Sequence, residues 1–371
     1  MPNFQHAMLR EIFEQPAAIR RTLDLYVSGN ELKAEAFAPM AKWLNPRGEL
    51  LIAASGSSRH AGLAAEILLE DLCGLSVDVE YASEWGCRGT ANPRHPSVLV
   101  ISQSGETSDT LAALRQARDR DEQTLAIANV PGSSMLREAS AAMVLAAGRE
   151  MAIPATKSFT CQLTALYLLA VYLGTQNGTM DAAEAGRNLR ELEALTTQIE
   201  RQLEGWRAVA ADLAHRYSDA STFLYLGRGI HYAIAREGAL KMKESSYVHA
   251  EGYPAGELKH GPNALVSESV PLVALATVDR GLEDSMLRYE KTVQLLEDMK
   301  QQGARVMAIA NTGDERVKAL VSDMIEVEPA GEYLLPIAEV IPLQLFSYYM
   351  ALEHGVDVDR PRNLSKAVIE A

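Results

Sequence analysis

Cysteine is scarce. The chain has three in 371 residues, Cys73, Cys87 and Cys161, an odd number with no C-x-x-C spacing. That excludes a disulfide-stapled framework, argues against a structural zinc site and suits a reducing compartment. The opening residues, Met1 to His6, lack the basic stretch followed by an apolar run that marks a secretory signal. The longest apolar stretch, around Leu163 to Leu173, is interrupted by polar residues and falls short of the ~18 residues that span a bilayer. These absences predict a cytoplasmic protein. Positive charge is also in short supply, with 35 Lys and Arg against 49 Asp and Glu, a formal net charge of −14. So acidic a chain is a poor binder of nucleic acid or anionic membrane through its overall field, although a local pocket can still hold an anion. At 47% hydrophobic and 23% charged the composition is globular. The length suggests two or three domains at roughly 100–200 residues each.

What is present is a repeat. An apolar run at Glu49–Ser55, a glycine and a helical pattern over about His60–Leu72 are matched by Thr222–Leu226, Gly227 and Gly229, and a helical pattern to about Tyr247. SVLVI at Ser97–Ile101 parallels PLVALA at Pro271–Ala276, and TLAIAN at Thr124–Asn129 parallels VMAIAN at Val306–Asn311. Gln162–Tyr172 parallels Gln344–Leu352, each read as an apolar helix after a proline-bearing loop. Short continuous apolar runs alternating with longer helical patterns predict a parallel sheet covered by helices on both faces, in each half. The charged helical pattern between Gly174 and Ala220 reads as a connector, and Gln5–Ser28 as a preceding helix.

In such sheets ligands sit beyond the carboxyl ends of the strands. There the first half carries Ser102-Gln103-Ser104-Gly105-Glu106-Thr107, opening a helix over Leu111–Arg118, and earlier Ser55-Gly56-Ser57-Ser58. Hydroxyls and helix-start N–H groups can cradle a phosphate without a cationic side chain. Ser57 and Ser58 alone read better as helix caps. The five polar side chains of the Ser102–Thr107 run exceed what one cap needs. The matching second-half loop, Thr277-Val278-Asp279-Arg280-Gly281, has lost the hydroxyls and gained an acid, which predicts one phosphate site per chain. No nucleotide P-loop or complete dinucleotide fingerprint occurs.

The second half carries its own cluster. Glu237, Lys241 and Glu244 are spaced i, i+4, i+7 on one helical face. A solvated salt-bridge face is the ordinary explanation for that pattern. Against it, the segment Gly252–Pro262 follows at once, a glycine- and proline-rich loop bearing Glu257, Lys259 and His260, and histidine moves protons near neutral pH. A basic tail, Asp359-Arg360-Pro361-Arg362-Asn363-Leu364-Ser365-Lys366, closes the chain.

The motifs SQSGETSDT, ATKSFTCQL, EGALKMKE, HAEGYPAGELKHGP, PLQL and DVDRPRNLSK resemble the sugar isomerase (SIS) family. They are similar to the isomerase portion of its glucosamine-6-phosphate synthases and to its stand-alone deaminases. The resemblance runs from about Arg10 to the end. It implies two tandem doubly wound, flavodoxin-like α/β domains. An N-terminal helical segment (1–30) precedes the first SIS domain with its phosphate loops (31–174). A helical connector (175–220), a second SIS domain (221–355) and a tail (356–371) follow.

Residue by residue, the resemblance implies that Ser57, Ser58, Ser102, Gln103, Ser104 and Thr107 hold the substrate phosphate and sugar. Glu244 would be the base shuttling a proton between carbons 1 and 2, with Lys241 and Glu237 on the same catalytic face. His260 would be the ring-opening histidine, contributed across a homodimer, and Lys366 the tail lysine that forms a Schiff base. No metal or redox cofactor is implied. Two departures stand out: Ala155 replaces a serine near the sugar, and Arg59 replaces a tyrosine. With the isomerase portion beginning almost at once, the expectation is a chain without a glutaminase domain. The resulting expectation is an amino-sugar-phosphate deaminase, converting glucosamine 6-phosphate and water to fructose 6-phosphate and ammonia. The alternatives are ammonia-dependent synthesis in the reverse direction and a non-catalytic sugar-phosphate-binding regulator.

Overall fold

The computed structural model describes residues 4–44, 48–87 and 95–366; the first three residues of the expected N-terminal segment and the last five of the expected tail lie outside the described residues. The chain divides into two compact units. The N-terminal unit comprises Glu14–Glu150, Lys157–Thr196 and Ser365–Ala371, and the C-terminal unit Met1–Phe13, Met151–Thr156 and Thr197–Leu364.

Two helices, α1 (Ala7–Phe13) and α2 (Gln15–Tyr26), stand where the sequence reads as one over Gln5–Ser28. The cause is Pro16, which lies in the first turn of α2. Proline has no N–H to continue a helix and clashes with the preceding turn, so it starts a new one.

The N-terminal unit continues with a two-residue hairpin, β1 (Val27–Ser28) and β2 (Glu31–Leu32), and a short α3 (Ala34–Phe37). Then come β3 (Glu49–Ala54), α4 (Gly56–Cys73), β4 (Ser76–Tyr81), α5 (Ala82–Cys87), β5 (Ser97–Ser102), α6 (Ser108–Asp119), β6 (Thr124–Ala128), α7 (Ser134–Glu138), β7 (Ala141–Val144) and α8 (Lys157–Asn177). The five strands form one parallel sheet in the order β4-β3-β5-β6-β7. Every residue of β5 and β6 is buried, which is why those runs are apolar throughout rather than alternating. The strand order reverses between β3 and β5, and that switch point lies between the two hydroxyl-bearing loops.

The long helix α9 (Ala182–Arg216) carries the chain from one unit into the other. The C-terminal unit then repeats the plan with β8 (Thr222–Gly227), α10 (Ile230–Ser246), β9 (His249–Pro254), β10 (Leu272–Ala276), α11 (Glu283–Gln301), β11 (Val306–Asn311), α12 (Glu315–Lys318), β12 (Asp323–Val327) and α13 (Leu335–Glu353). Its parallel sheet has the equivalent order, β12-β11-β10-β8-β9. Both sheets are therefore the doubly wound, flavodoxin-like arrangement that the resemblance implies, and parallel as the repeat predicts.

Three further details differ from the sequence reading. His249–Pro254, the start of the supposed loop, is an edge strand, and Ala255–His260 is a 3-10 turn. Gly252 lets the strand lie against α10, since a Cβ there would sit 2.7 Å from the Arg236 Cα, and Pro254 is tolerated at the end of an edge strand. Helix α13 begins at Leu335, with Pro336 in its first turn, and runs through Pro342 rather than following it. Finally, α8 and α13 both reach the length and mean hydropathy (1.3 each) that would suffice to cross a membrane, beyond the shorter run expected from Leu163–Leu173. Of those spans 94% and 89% are buried in the protein, so they serve here as core helices.

Candidate functional site

In the N-terminal unit the chain leaves β5 through a tight turn at Gly105, where φ is +68°. A Cβ at Gly105 would meet the Ser133 Oγ at 2.1 Å, so only glycine fits both the backbone and the space. The turn folds its hydroxyls inward. Ser102 Oγ lies 3.0 Å from Thr107 Oγ1 and accepts the Gly105 N–H, and Ser104 Oγ accepts the Glu106 N–H. Thr107 is the N-cap residue of α6, yet its side chain makes no cap bond. The first N–H groups of a helix have no intrahelical partner, and a helix end of this kind can receive an anion. Gln103 is half-buried and its carbonyl is tied to the Asn129 N–H, which fixes the loop against the end of β6. Ser133 Oγ, buried beside Gly105, has no hydrogen-bond partner among the described residues.

The capping explanation for Ser57 and Ser58 does not hold. Ser55 occupies the N-cap position of α4, and both serines lie within its first turn. Ser58 is buried and its Oγ accepts a 2.9 Å hydrogen bond from Gln162 Nε2 of α8. Ser57 is half-buried. Arg59 stacks on Tyr81, with its guanidinium 3.7 Å from the ring centroid.

The tail lysine belongs to the same unit. Lys366 Nζ lies 2.6 Å from Glu150 Oε2, and that carboxylate also accepts from the N–H and hydroxyl of Ser158, at 3.1 and 2.8 Å. Glu150, Ser158 and Gln162 were not singled out in the sequence. The available signal was Ser158 and Gln162, polar residues in the first two turns of a helix buried almost throughout; Glu150 lies in the loop before it.

In the C-terminal unit, α10 brings Glu237, Lys241 and Glu244 together as the spacing requires. Lys241 Nζ is 3.4 Å from Glu237 Oε1 and in closer contact with Glu244 Oε2. This is no solvated face. Glu237 and Lys241 are fully buried, and only Glu244 keeps partial access, with 22% of its side chain exposed. A buried ammonium between two carboxylates is costly to assemble and strongly destabilising to break, so its retention in a packed helix is informative. Gly238 makes room for that packing, since a Cβ would sit 2.8 Å from Leu343 Cδ1 and 2.9 Å from Tyr225 Cε1. His260 is exposed at the end of its 3-10 turn.

The second-half counterpart of the hydroxyl loop is backed by buried carboxylates of the chain itself. Thr277 Oγ1 donates to the buried Glu339, and His231 lies between Glu339 (2.8 Å) and Glu332 (3.3 Å). Arg288 and Ser285 complete the set around Glu332. Burial alone would lower the His231 pKa, but the two glutamates outweigh it and raise it to about 10. Burial likewise acts to raise Glu332, but His231, Ser285 and Arg288 pull it down to about 2. The hydroxyl this loop retains, that of Thr277, is thus bound to a carboxylate of the chain itself.

Two parallel sheets of one strand order, with a hydroxyl-rich loop at the first switch point and a buried acid–lysine–acid cluster on the second unit's first helix, define a duplicated, doubly wound α/β protein. The chain belongs to the SIS domain family, whose model matches residues 44–172 and 216–354. It is similar, at 41% identity over 98% of its length, to glutamine–fructose-6-phosphate aminotransferase (isomerizing) of Chlorobaculum tepidum, and at 39% over 98% to that of Mycobacterium leprae. It spans 58% of the length of each of those relatives. Among solved structures, the C-terminal domain of glucosamine-fructose-6-phosphate aminotransferase from Francisella tularensis matches with a TM-score of 0.86 and 33% identity, covering 97% of this chain and 99% of that one. A glucosamine-6-phosphate deaminase from Thermotoga maritima shares the fold, with a TM-score of 0.73 at 21% identity over 98% of this chain and 100% of that one.

Proposed function

We propose that this protein is a phosphosugar isomerase that converts glucosamine 6-phosphate and water to fructose 6-phosphate and ammonia. The observation that carries this is the buried Glu237–Lys241–Glu244 cluster, in which one carboxylate alone keeps access to solvent. The phosphate would rest on Ser57, Ser58, Ser102, Gln103, Ser104 and Thr107. Its charge would meet hydroxyls and the positive end of α6 rather than a cation. His260 would assist ring opening. In a homodimer it would come from the neighbouring chain, a role that its exposed position suits.

Glu244 would take the proton from carbon 2 of the open aldose and return it at carbon 1. The aldose amine becomes a ketose imine. Lys241 would hold Glu244 in place and offset the charge developing on the substrate. Lys366 Nζ would displace ammonia from the imine carbon, forming a lysine Schiff base that water hydrolyses to the ketose. The protein would work in the cytoplasm, without nucleic acid or membrane as partner.

Ammonia-dependent synthesis in the reverse direction is favoured by one observation, the aminotransferase names of the relatives at 39–41% identity. One assay decides. Ammonia release is measured with glucosamine, galactosamine and mannosamine 6-phosphates, and amino-sugar formation with fructose 6-phosphate and ammonium. The proposal expects faster release from glucosamine 6-phosphate than formation. Formation alone would support the second reading, and neither would leave a binding module.

A further inference from the structure

The proposed role of Lys366 leaves a question that the N-terminal unit answers. A tail lysine reaches its target only if something fixes its Nζ, and an ammonium carries no lone pair with which to add to a carbonyl. Glu150 meets both needs. Its side chain is 0% exposed, whereas that of Lys366 is 26% exposed, so the carboxylate is the fixed partner and the lysine the incoming one. The carboxylate is itself oriented. Oε1 accepts the Ser158 N–H at 3.1 Å, and Oε2 accepts the Ser158 hydroxyl at 2.8 Å and faces Nζ at 2.6 Å.

Ser158 and Gln162 are spaced i, i+4 on α8 and so share one face of it, about 5–6 Å apart at their Cβ atoms. Gln162 holds the Ser58 hydroxyl from that face. One turn of one buried helix thus ties the tail lysine, through Glu150, and the Ser57–Ser58 loop to the same stretch of scaffold. A tether alone would not call for a fully buried carboxylate, since burying one is costly and a tail can dock by apolar contact.

We propose that Glu150 is the positioning residue for Lys366: it seats Nζ beside the phosphosugar loop and takes the proton that Nζ sheds when it attacks. The inference rests on the Schiff-base role proposed above. In the step that fructose 6-phosphate allows to be followed, the reverse of the hydrolysis proposed above, Nζ passes one proton to Glu150 Oε2 and its freed lone pair forms a bond to carbon 2 of the open-chain ketose. The carbonyl π bond breaks onto oxygen. That oxygen takes the two remaining Nζ protons and leaves as water, giving the C2=N bond and a protonated Glu150.

The test is reductive trapping. Wild type, Glu150→Gln and Glu150→Asp are incubated with fructose 6-phosphate and borohydride, and the adduct at Lys366 is quantified by mass spectrometry. Fructose 6-phosphate affinity is measured alongside by calorimetry. Glu150→Gln can keep the Ser158 N–H on its amide oxygen and donate from its NH2 to the Ser158 hydroxyl, but it cannot accept the proton. It is expected to bind fructose 6-phosphate within about twofold of wild type while trapping and kcat fall at least tenfold. Glu150→Asp, a carboxylate drawn back by one methylene, is expected to recover part of the trapping. If Glu150→Gln does not fold, the Asp variant decides alone, with unchanged affinity and slower trapping expected. Trapping at the wild-type rate in the variants, or affinity and trapping lost together, would overturn the role of Glu150. Absence of any Lys366 adduct in wild type that still binds fructose 6-phosphate would overturn the Schiff-base reading itself, and this inference with it.

Discussion

Ser104 shows what the hydroxyl loop is worth. Its Oγ already bends the turn by accepting the Glu106 N–H, and the proposed phosphate would take its proton. Ser104→Ala is expected to cost about 1.5–3 kcal/mol of binding, the range for a hydrogen bond to a charged group. That is a roughly ten- to hundredfold rise in KM, with a melting temperature near wild type. Thr277 in the second-half loop is the control, though a sharper one than its sequence suggests. Its hydroxyl donates to buried Glu339, so Thr277→Ala should leave KM unchanged while lowering the melting temperature, because a buried carboxylate loses a donor. Equal rises in KM for both would contradict a single phosphate site per chain. The spacing of Glu237, Lys241 and Glu244 was legible in the sequence because a helix fixes which residues share a face. Their burial was not, since the same spacing describes a solvated ion-pair face and only the packing of α10 on α13 and Tyr225 distinguishes the two. Glu150 and Gln162 were illegible for a similar reason: each bonds a residue distant in the chain, Lys366 and Ser58.

At the scale of elements, strands and helices followed from apolar runs and their breaks, and the departures trace to proline and glycine. Pro16 splits the first helix, Pro342 is carried inside α13, and Gly252 turns an apparent loop into an edge strand. Helix α10 is held against its neighbours so closely that Gly238→Ala is expected to cost about 1–3 kcal/mol by overpacking, read as a lower melting temperature. The His231–Glu332–Glu339 set at its N-terminal end makes the C-terminal unit pH-sensitive. His231 is raised from 6.5 to about 10 in the folded protein, so its contribution is complete below pH 6.5 and is lost as pH rises toward 10. Glu332 is lowered from 4.5 to about 2, so its contribution is complete above pH 4.5 and is lost as pH falls toward 2. Thermal unfolding should therefore show a decline from pH 6.5 to 9 that His231→Gln flattens, at a general cost of about 3–5 kcal/mol for breaking a buried pair. An unchanged slope in that variant would show that the decline arises elsewhere.

For the molecule as a whole, duplication explains both what the two units share and how they differ. Each sheet supplies the same crevice at its switch point. The first keeps hydroxyls there, and the second ties His231 and Thr277 to the buried Glu332 and Glu339. The repeat and the sheet order could be read from the sequence because strands buried on both faces leave continuous apolar runs. The pairing of His231 and Thr277 with those glutamates could not, because Glu332 and Glu339 lie 55 and 62 residues beyond Thr277 along the chain. If His260 acts on the neighbouring chain, mixing inactive Glu244→Gln and His260→Ala proteins should restore activity in heterodimers; no recovery with heterodimers present would remove the shared site. The central claim is the proton shuttle by Glu244, and one experiment meets it directly. Glucosamine 6-phosphate is incubated with wild type and with Glu244→Gln in deuterated water, and ammonia and the label in the fructose 6-phosphate are measured by enzymatic assay and NMR. The account predicts ammonia release by wild type with deuterium at carbon 1, and a loss of both by a factor of roughly 10²–10⁴ in Glu244→Gln, the usual contribution of acid–base catalysis. Near-normal ammonia release by Glu244→Gln would contradict it.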